Sequence, residues 1–238
     1  MRFLIAFLAL FVAVPASAQG QLIEVPGRTP APQTTDKENL WLLDLSDGGR
    51  VTILLRPDVA PQMVERIKTL TRKHFYDGVV FHRVIEGFMA QSGDPKGDGT
   101  GGSDLPDVPK EFNYLPHVRG AVSAAREGAP EGATQEQKDK AEGSANSQFF
   151  IMFVPRLSLD QKYSVFGRVI EGMQWVDRIE RGEPPANPTR ILHAWIGSDN
   201  PPEYSAPPPP APPTLPASEL TLPATKKPAP STPAPRKR

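Results

Sequence analysis

The uneven distribution of proline most restricts what this chain can fold into. Of its 238 residues, 29 are prolines, and they crowd together with alanine, serine and threonine between residues 200 and 238. Because proline fixes φ and has no backbone N–H, this segment can join no sheet and bury no core. Residues 200–238 are therefore predicted to be a disordered, basic, proline-rich tail. Two interpretations of the tail stay open: weak contact with the cell envelope, or a solvated spacer.

The amino terminus has the pattern of an export signal. A basic residue precedes an apolar run over residues 3–14, and small residues follow as far as Ala18. This pattern predicts a signal peptide over residues 1–18, cleaved between Ala18 and Gln19. The run is too short to span a bilayer comfortably, so no stable membrane insertion is expected after cleavage. We therefore expect a periplasmic or secreted protein whose polar residues 19–36 form a flexible lead-in.

Residues 37–199 remain for folding, which suits one domain with a single core. The 27 basic and 27 acidic residues give a net charge of zero, which argues against a nucleic-acid partner. The sequence has no cysteine, which excludes disulfides and cysteine-ligated metals, and its four histidines form no metal-binding pair. We expect a monomer that uses no metal and no cofactor.

The spacing of apolar residues in this domain predicts many short strands and two helices. The first two strands form a hairpin around the turn at residues 47–49. One helix enters at Asp58 and continues to Leu70, and the other spans 171–181. Many short strands with two helices favour a closed β-barrel that the helices cap. The predicted strands are 39–45, 50–55, 79–85, 88–91, 148–154, 164–170 and 190–196.

Two glycine-rich motifs suggest chemistry that their surroundings do not support. Residues 97–102 match G-x-G-x-x-G, but the prolines that follow cannot start the helix that a dinucleotide site needs. A calcium loop beginning at Asp94 would need a glutamate where Leu105 stands. The sequence therefore predicts a surface loop here, and no nucleophile motif of a serine hydrolase occurs elsewhere.

Arg83 stands out as a charge among apolar and aromatic residues. It follows Phe81 by two positions, so the two side chains share one face of a strand. From residue type alone, Arg83 would be interpreted as a partner in a partly buried salt bridge.

A set of motifs around Arg83 resembles the cyclophilins. They occur in the family's order across most of the domain, from residue 42 to residue 196. The motifs are FHR at 81–83, GFMAQSGD at 87–94, SQFFI at 147–151 and VFGRV at 165–169.

The resemblance implies a mainly β fold, an eight-stranded closed antiparallel barrel capped by two α-helices. It implies a peptidyl-prolyl cis-trans isomerase that acts on proline-containing polypeptides without a cofactor and assists folding of exported proteins. Arg83 would be the catalytic residue. The resemblance also implies a substrate-binding set: Phe88, Met89, Gln91, Ala125, Arg126, Gln148, Phe150, Leu159 and Tyr163.

Several positions depart from the family pattern. Ser158 stands where many members have tryptophan, Tyr163 replaces a histidine, and Arg126 lies in a run that is usually uncharged. A polar insertion follows at residues 128–143, and it either shapes substrate access or is a tolerated surface loop. These departures leave an alternative function open, a module that binds proline segments with little turnover.

Overall fold

The computed structural model describes residues 29–205. The predicted signal peptide, its cleavage point, the first part of the lead-in and the tail beyond residue 205 lie outside the described residues. Within residues 29–205, no helix combines the length and apolar character needed to cross a bilayer.

The described chain forms eight strands and three α-helices. The strands are β1 (Leu40–Leu45), β2 (Gly49–Leu55), β3 (Arg83–Ile85), β4 (Met89–Ser92), β5 (Ala121–Ala124), β6 (Phe149–Met152), β7 (Val165–Glu171) and β8 (Ile191–Ile196). The helices are α1 (Pro61–Arg72), α2 (Gln135–Glu142) and α3 (Met173–Val176).

All eight strands join one curled antiparallel sheet in the order β3-β4-β6-β5-β7-β2-β1-β8. The two end strands approach each other through the segment that precedes β3. Gly78 N donates to Ile191 O at 2.7 Å, and Phe81 N donates to Thr189 O at 2.9 Å. These bonds bring the sheet edges together as a short seam. The predicted eight-stranded antiparallel fold with capping helices is confirmed.

An aromatic cluster fills the inside of the curled sheet. Trp41 on β1 is fully buried, and its ring contacts Phe149 and Tyr76 edge-on at centroid distances of 4.9 and 5.3 Å. Because neighbouring residues on a strand point to opposite faces, Phe150 belongs to a second apolar cluster on the outer face. Strand β6 therefore supplies side chains to the core and to the outer surface at adjacent positions.

The helices differ from the sequence prediction in extent and number. The helix predicted over 171–181 is reduced to α3, because β7 continues to Glu171 and Gly172 then adopts a φ of +83°. Helix α2 was not predicted, and it lies in the insertion at 128–143. A capping box between Thr134 and Gln137 stabilises its first turn, although its surface is almost wholly polar.

Gly93 is required by close backbone contact at the end of β4. Its φ is +92°, and a Cβ there would meet Ser147 O and would lie 2.8 Å from Gln148 Cα. Gly87 also has a positive φ, of +64°, but a Cβ there would meet nothing within 4 Å. The two glycines thus share backbone strain and differ in available space.

We expect Gly93→Ala to lower the free energy of unfolding more than Gly87→Ala does. The left-handed backbone costs each alanine about 1–2 kcal/mol. The backbone clash adds about 1–3 kcal/mol for Gly93→Ala only. Urea denaturation of both variants and the wild type measures the difference. Equal losses for the two variants would contradict the close backbone contact at Gly93.

Candidate active site

A cavity of about 240 Å³ opens on the outer face of the sheet. Nine of the ten residues predicted as catalytic or substrate-binding line it, and the tenth, Gln148, lines an adjoining cavity of about 490 Å³. Residues Gln91, Ala125 and Arg126 line both cavities. The lining of the smaller cavity is Arg83, Phe88, Met89, Gln91, Ala125, Arg126, Phe150, Leu159 and Tyr163.

Six of the nine residues that line the smaller cavity are apolar or aromatic. Met89 on β4 and Phe150 on β6 are only 2% and 6% exposed, and their strands pair directly. Tyr163 stands edge-on to Phe150, with ring centroids 5.6 Å apart. A small apolar hollow of this kind suits one ring-shaped side chain, since cavities for drug-sized ligands usually reach about 300–1,000 Å³.

The guanidinium of Arg83 lies at the edge of this cavity, and two side-chain hydrogen bonds hold it there. Its Nε donates to Glu183 Oε2 at 2.8 Å, and its Nη1 donates to Gln91 Oε1 at 3.5 Å. The side chain stays 42% exposed. The salt bridge expected from residue type therefore exists, but it leaves Arg83 in the cavity wall.

Glu183 was missed by the sequence analysis. The two backbone bonds between Val84 and Gly182, 2.8 and 2.9 Å long, place Glu183 beside Arg83. No spacing pattern links residues that lie 100 positions apart in the chain. Only the closure of the fold brings this carboxylate to the guanidinium.

A hydrogen-bond relay fixes the orientation of the two glutamines. Gln148 Nε2 donates to the carbonyl oxygens of Gly99 and Gly101 at 3.0 and 2.8 Å. Its Oε1 must then point the other way, and it accepts from Gln91 Nε2 at 2.9 Å. Gln91 consequently turns its own Oε1 toward Arg83. Two backbone carbonyls thus decide which amide atom faces the guanidinium.

The glycine-rich loop is held by the buried carboxylate of Asp94. This carboxylate accepts the backbone N–H groups of Lys96, Asp98 and Gly99 at 2.8, 3.1 and 2.6 Å. A Cβ on Gly101 would meet Asp94 Oδ1. The loop prediction for residues 97–102 agrees with the structure, since no helix follows this segment. The sequence reasoning did not foresee that the loop orients Gln148.

His117 lies behind the aromatic wall and was also missed. Its side chain is fully buried, stacks on Phe150 with centroids 6.2 Å apart, and places Nδ1 2.8 Å from Asp160 Oδ1. Burial lowers the pKa of His117, and the neighbouring carboxylate of Asp160 only partly offsets this. A neutral His117 therefore supports the ring of Phe150 from behind.

Of the positions that depart from the family pattern, Arg126 and Tyr163 line the cavity. The Arg126 guanidinium carbon is 4.6 Å from the Tyr163 ring centroid. Ser158 offers its backbone carbonyl to Lys162 Nζ at 3.0 Å, and it is not part of the lining. Residues 128–143, all of which the structure describes, line neither of these two cavities. This placement favours a tolerated surface insertion.

Comparisons with known proteins show what this chain is similar to. The family model described as cyclophilin type peptidyl-prolyl cis-trans isomerase/CLD matches residues 42–196. A probable peptidyl-prolyl cis-trans isomerase of Brucella suis is 43% identical over 189 residues, which cover 73% of this chain and 90% of that protein. The crystal structure of a cyclophilin from Hirschia baltica is similar with a TM-score of 0.60 and 29% identity, over 70% of this chain and 77% of that one.

The buried histidines make stability depend on pH in a defined direction. Burial lowers the pKa of His117 and also of His82, which is 5% exposed. The unfolded chain then binds more protons than the folded one once pH falls below about 6.5. We expect the free energy of unfolding to be highest above that pH. It should fall by at most about 1.4 kcal/mol per pH unit for each histidine as pH decreases toward 5.

Urea denaturation between pH 5 and 7.5 measures this loss. An NMR titration of the histidine C–H signals in the folded protein supplies the site-specific check. A His117 signal that titrates at or above its ordinary range would contradict the lowered pKa, and His117 would then not destabilise the fold in acid.

Proposed function

The chain belongs to the cyclophilin-type peptidyl-prolyl cis-trans isomerases, and on that basis we propose that Arg83 accelerates rotation of X–Pro bonds in exported proteins. The observation that carries this proposal is the position of the Arg83 guanidinium at the edge of a small apolar cavity. In the proposed complex the proline ring occupies the cavity, and the imide nitrogen lies beside the guanidinium.

The reaction needs a group that stabilises a twisted amide. Resonance gives the peptide C–N bond a rotation barrier of about 18–20 kcal/mol, whereas the cis and trans forms at proline differ by only about 0.5–1 kcal/mol. In the twisted state the lone pair returns to nitrogen, so a hydrogen-bond donor binds that state better than the planar ones. Such differential binding lowers the barrier, and no external energy source is needed.

Arg83 suits this task because its charge and its orientation are both fixed. The guanidinium stays protonated at any physiological pH. Its Nε and Nη1 donate to Glu183 and Gln91, so the plane of the group is set before the substrate arrives. Nη2 has no hydrogen-bond acceptor among residues 29–205, which leaves it for the imide nitrogen.

The apolar walls contribute in two ways. Met89, Phe150 and Tyr163 hold the proline ring while the peptide segment on the other side of the bond turns. They also exclude water, which strengthens the contact between the guanidinium and the imide dipole. No step in this scheme forms a covalent intermediate.

We expect Arg83→Ala to lower kcat/KM for an Ala-Pro peptide by about 100-fold to 1,000-fold, because a donor aimed at the transition state is removed. Arg83→Lys should lose about tenfold or more, since an ammonium group cannot hold Glu183 and Gln91 and still reach the substrate. Exchange NMR of the cis and trans peptide signals measures the rates without a coupled protease. Full activity in Arg83→Ala would refute the mechanism.

Glu183→Gln provides a graded variant in the same assay. It should lower kcat about twofold to fivefold with little change in KM, because the guanidinium loses its anchoring charge. The NMR signal of Arg83 Nε–H should also exchange faster with water. Glu86→Gln is the matched control, since it breaks the exposed ion pair between Glu86 and Arg181, two residues that do not line the cavity. It should leave both the rate and the Arg83 signal unchanged.

Export of this isomerase is part of the proposal. The basic residue, the apolar run over 3–14 and the small residues up to Ala18 support a cleaved signal and a periplasmic or secreted location. Mass spectrometry of the protein from its native host should give Gln19 as the first residue. An intact amino terminus, or recovery with the cytoplasmic fraction, would count against export.

A further inference from the structure

Two more arginines lie on the aromatic walls of the proposed proline cavity. The Arg126 guanidinium is 4.6 Å from the ring centroid of Tyr163, and that of Arg156 is 5.0 Å from the ring centroid of Phe88. Both rings line the cavity. Stacking on a ring holds a guanidinium in place by a cation–π contact and leaves N–H groups at its edge for another acceptor.

These two arginines lack the carboxylate partners that other arginines around the cavity have. Within residues 29–205, Arg126 donates only to the carbonyl oxygens of Lys162 and Glu127, and no side-chain acceptor lies within reach of Arg156. By contrast, Arg83 pairs with Glu183, and Arg181 pairs with a glutamate although it also stacks on a phenylalanine.

No carboxylate lines the smaller cavity among the described residues. Asp160 keeps its charge but is held by His117 behind the aromatic wall, with the His117 backbone N and ring Nδ1 both 2.8 Å from its Oδ1. Asp107 and Glu127 line the adjoining, larger cavity and not this one. The mouth of the smaller cavity therefore has an excess of positive charge.

We propose that this excess makes the enzyme select proline segments in which an aspartate or glutamate stands directly beside the proline. The inference rests on the proposed function, because it places the proline ring in the cavity. With the ring inside, the residues on either side of the proline cross the mouth, where Arg126 lines the cavity and Arg156 lies on the ring of Phe88. A carboxylate there can accept paired N–H groups from a guanidinium that has already lost much of its rotational freedom.

A series of peptides tests this preference. Each carries Glu, Gln or Lys next to a single proline, in one set before it and in another set after it. At low ionic strength, kcat/KM for the Glu peptide should exceed that for the Lys peptide by about threefold to tenfold in at least one set, with Gln between them. The ratio should shrink at high ionic strength, because salt screens exposed charges.

Variants assign the preference to the two arginines. Arg126→Gln and Arg156→Gln should each lower the Glu-to-Lys ratio, and the double variant should bring it close to one. Using the ratio within each variant cancels any general loss of activity. Arg178→Gln is the matched control, because Arg178 also stacks on an aromatic ring, that of Trp175 at 4.9 Å, but that ring, unlike those of Tyr163 and Phe88, does not line the cavity. It should keep the wild-type ratio.

The outcomes separate the two levels of the proposal. If the wild type isomerises none of the peptides, the proposed function itself fails. If it isomerises the Gln peptide but treats Glu and Lys peptides alike, only the charge preference fails. A wild-type preference that survives in the double variant would overturn the assignment to Arg126 and Arg156.

Discussion

The arrangement of the site depends on the buried carboxylate of Asp94, which forms no ion pair within residues 29–205. Burying a carboxylate is costly unless hydrogen bonds compensate it, and here three backbone N–H groups of the following loop do so. In the conformation that satisfies Asp94, the loop also presents two carbonyl groups to Gln148. Gln148 in turn orients the amide of Gln91, and the amide oxygen of Gln91 accepts a hydrogen bond from Arg83. A loop that resembled a nucleotide-binding motif thus helps to orient Arg83, the residue proposed to be catalytic.

Much of the fold and of the site could be predicted because these features depend on residues that are close together in the sequence. The first hairpin, the apolar face of α1 and the alternation along β4 and β6 each follow from a few neighbouring residues. Five of the nine cavity residues lie in short motifs in a fixed order, and the resemblance to a family implied the other four. Without the resemblance, the residue type alone would have led to the interpretation of Arg83 as a residue that only forms a salt bridge. That interpretation was incomplete, since the ion pair with Glu183 is present and belongs to the site.

What could not be predicted depends on contacts between distant parts of the chain. Glu183 reaches Arg83 through the bridge between Val84 and Gly182. His117 lies beside Phe150 because β5, the strand that follows His117, pairs with β6. Strand β5 is short and small in side-chain volume, so its sequence has little strand character of its own. Helix α2 has a polar surface with one buried residue, Ala141, and its capping box is the only local signal for it.

The seam between the sheet edges also sets the order in which the site can be completed during synthesis. Arg83 and both glutamines leave the ribosome well before Glu183, and the bonds that close the seam come from residues 189–191. Strand β8, which then pairs with β1 from the start of the domain, is among the last parts to appear. A nascent chain therefore carries the cavity walls without the anchor of its guanidinium. The complete site forms only when the carboxyl-terminal part of the domain returns to its amino-terminal strand, so a truncated translation product would lack it.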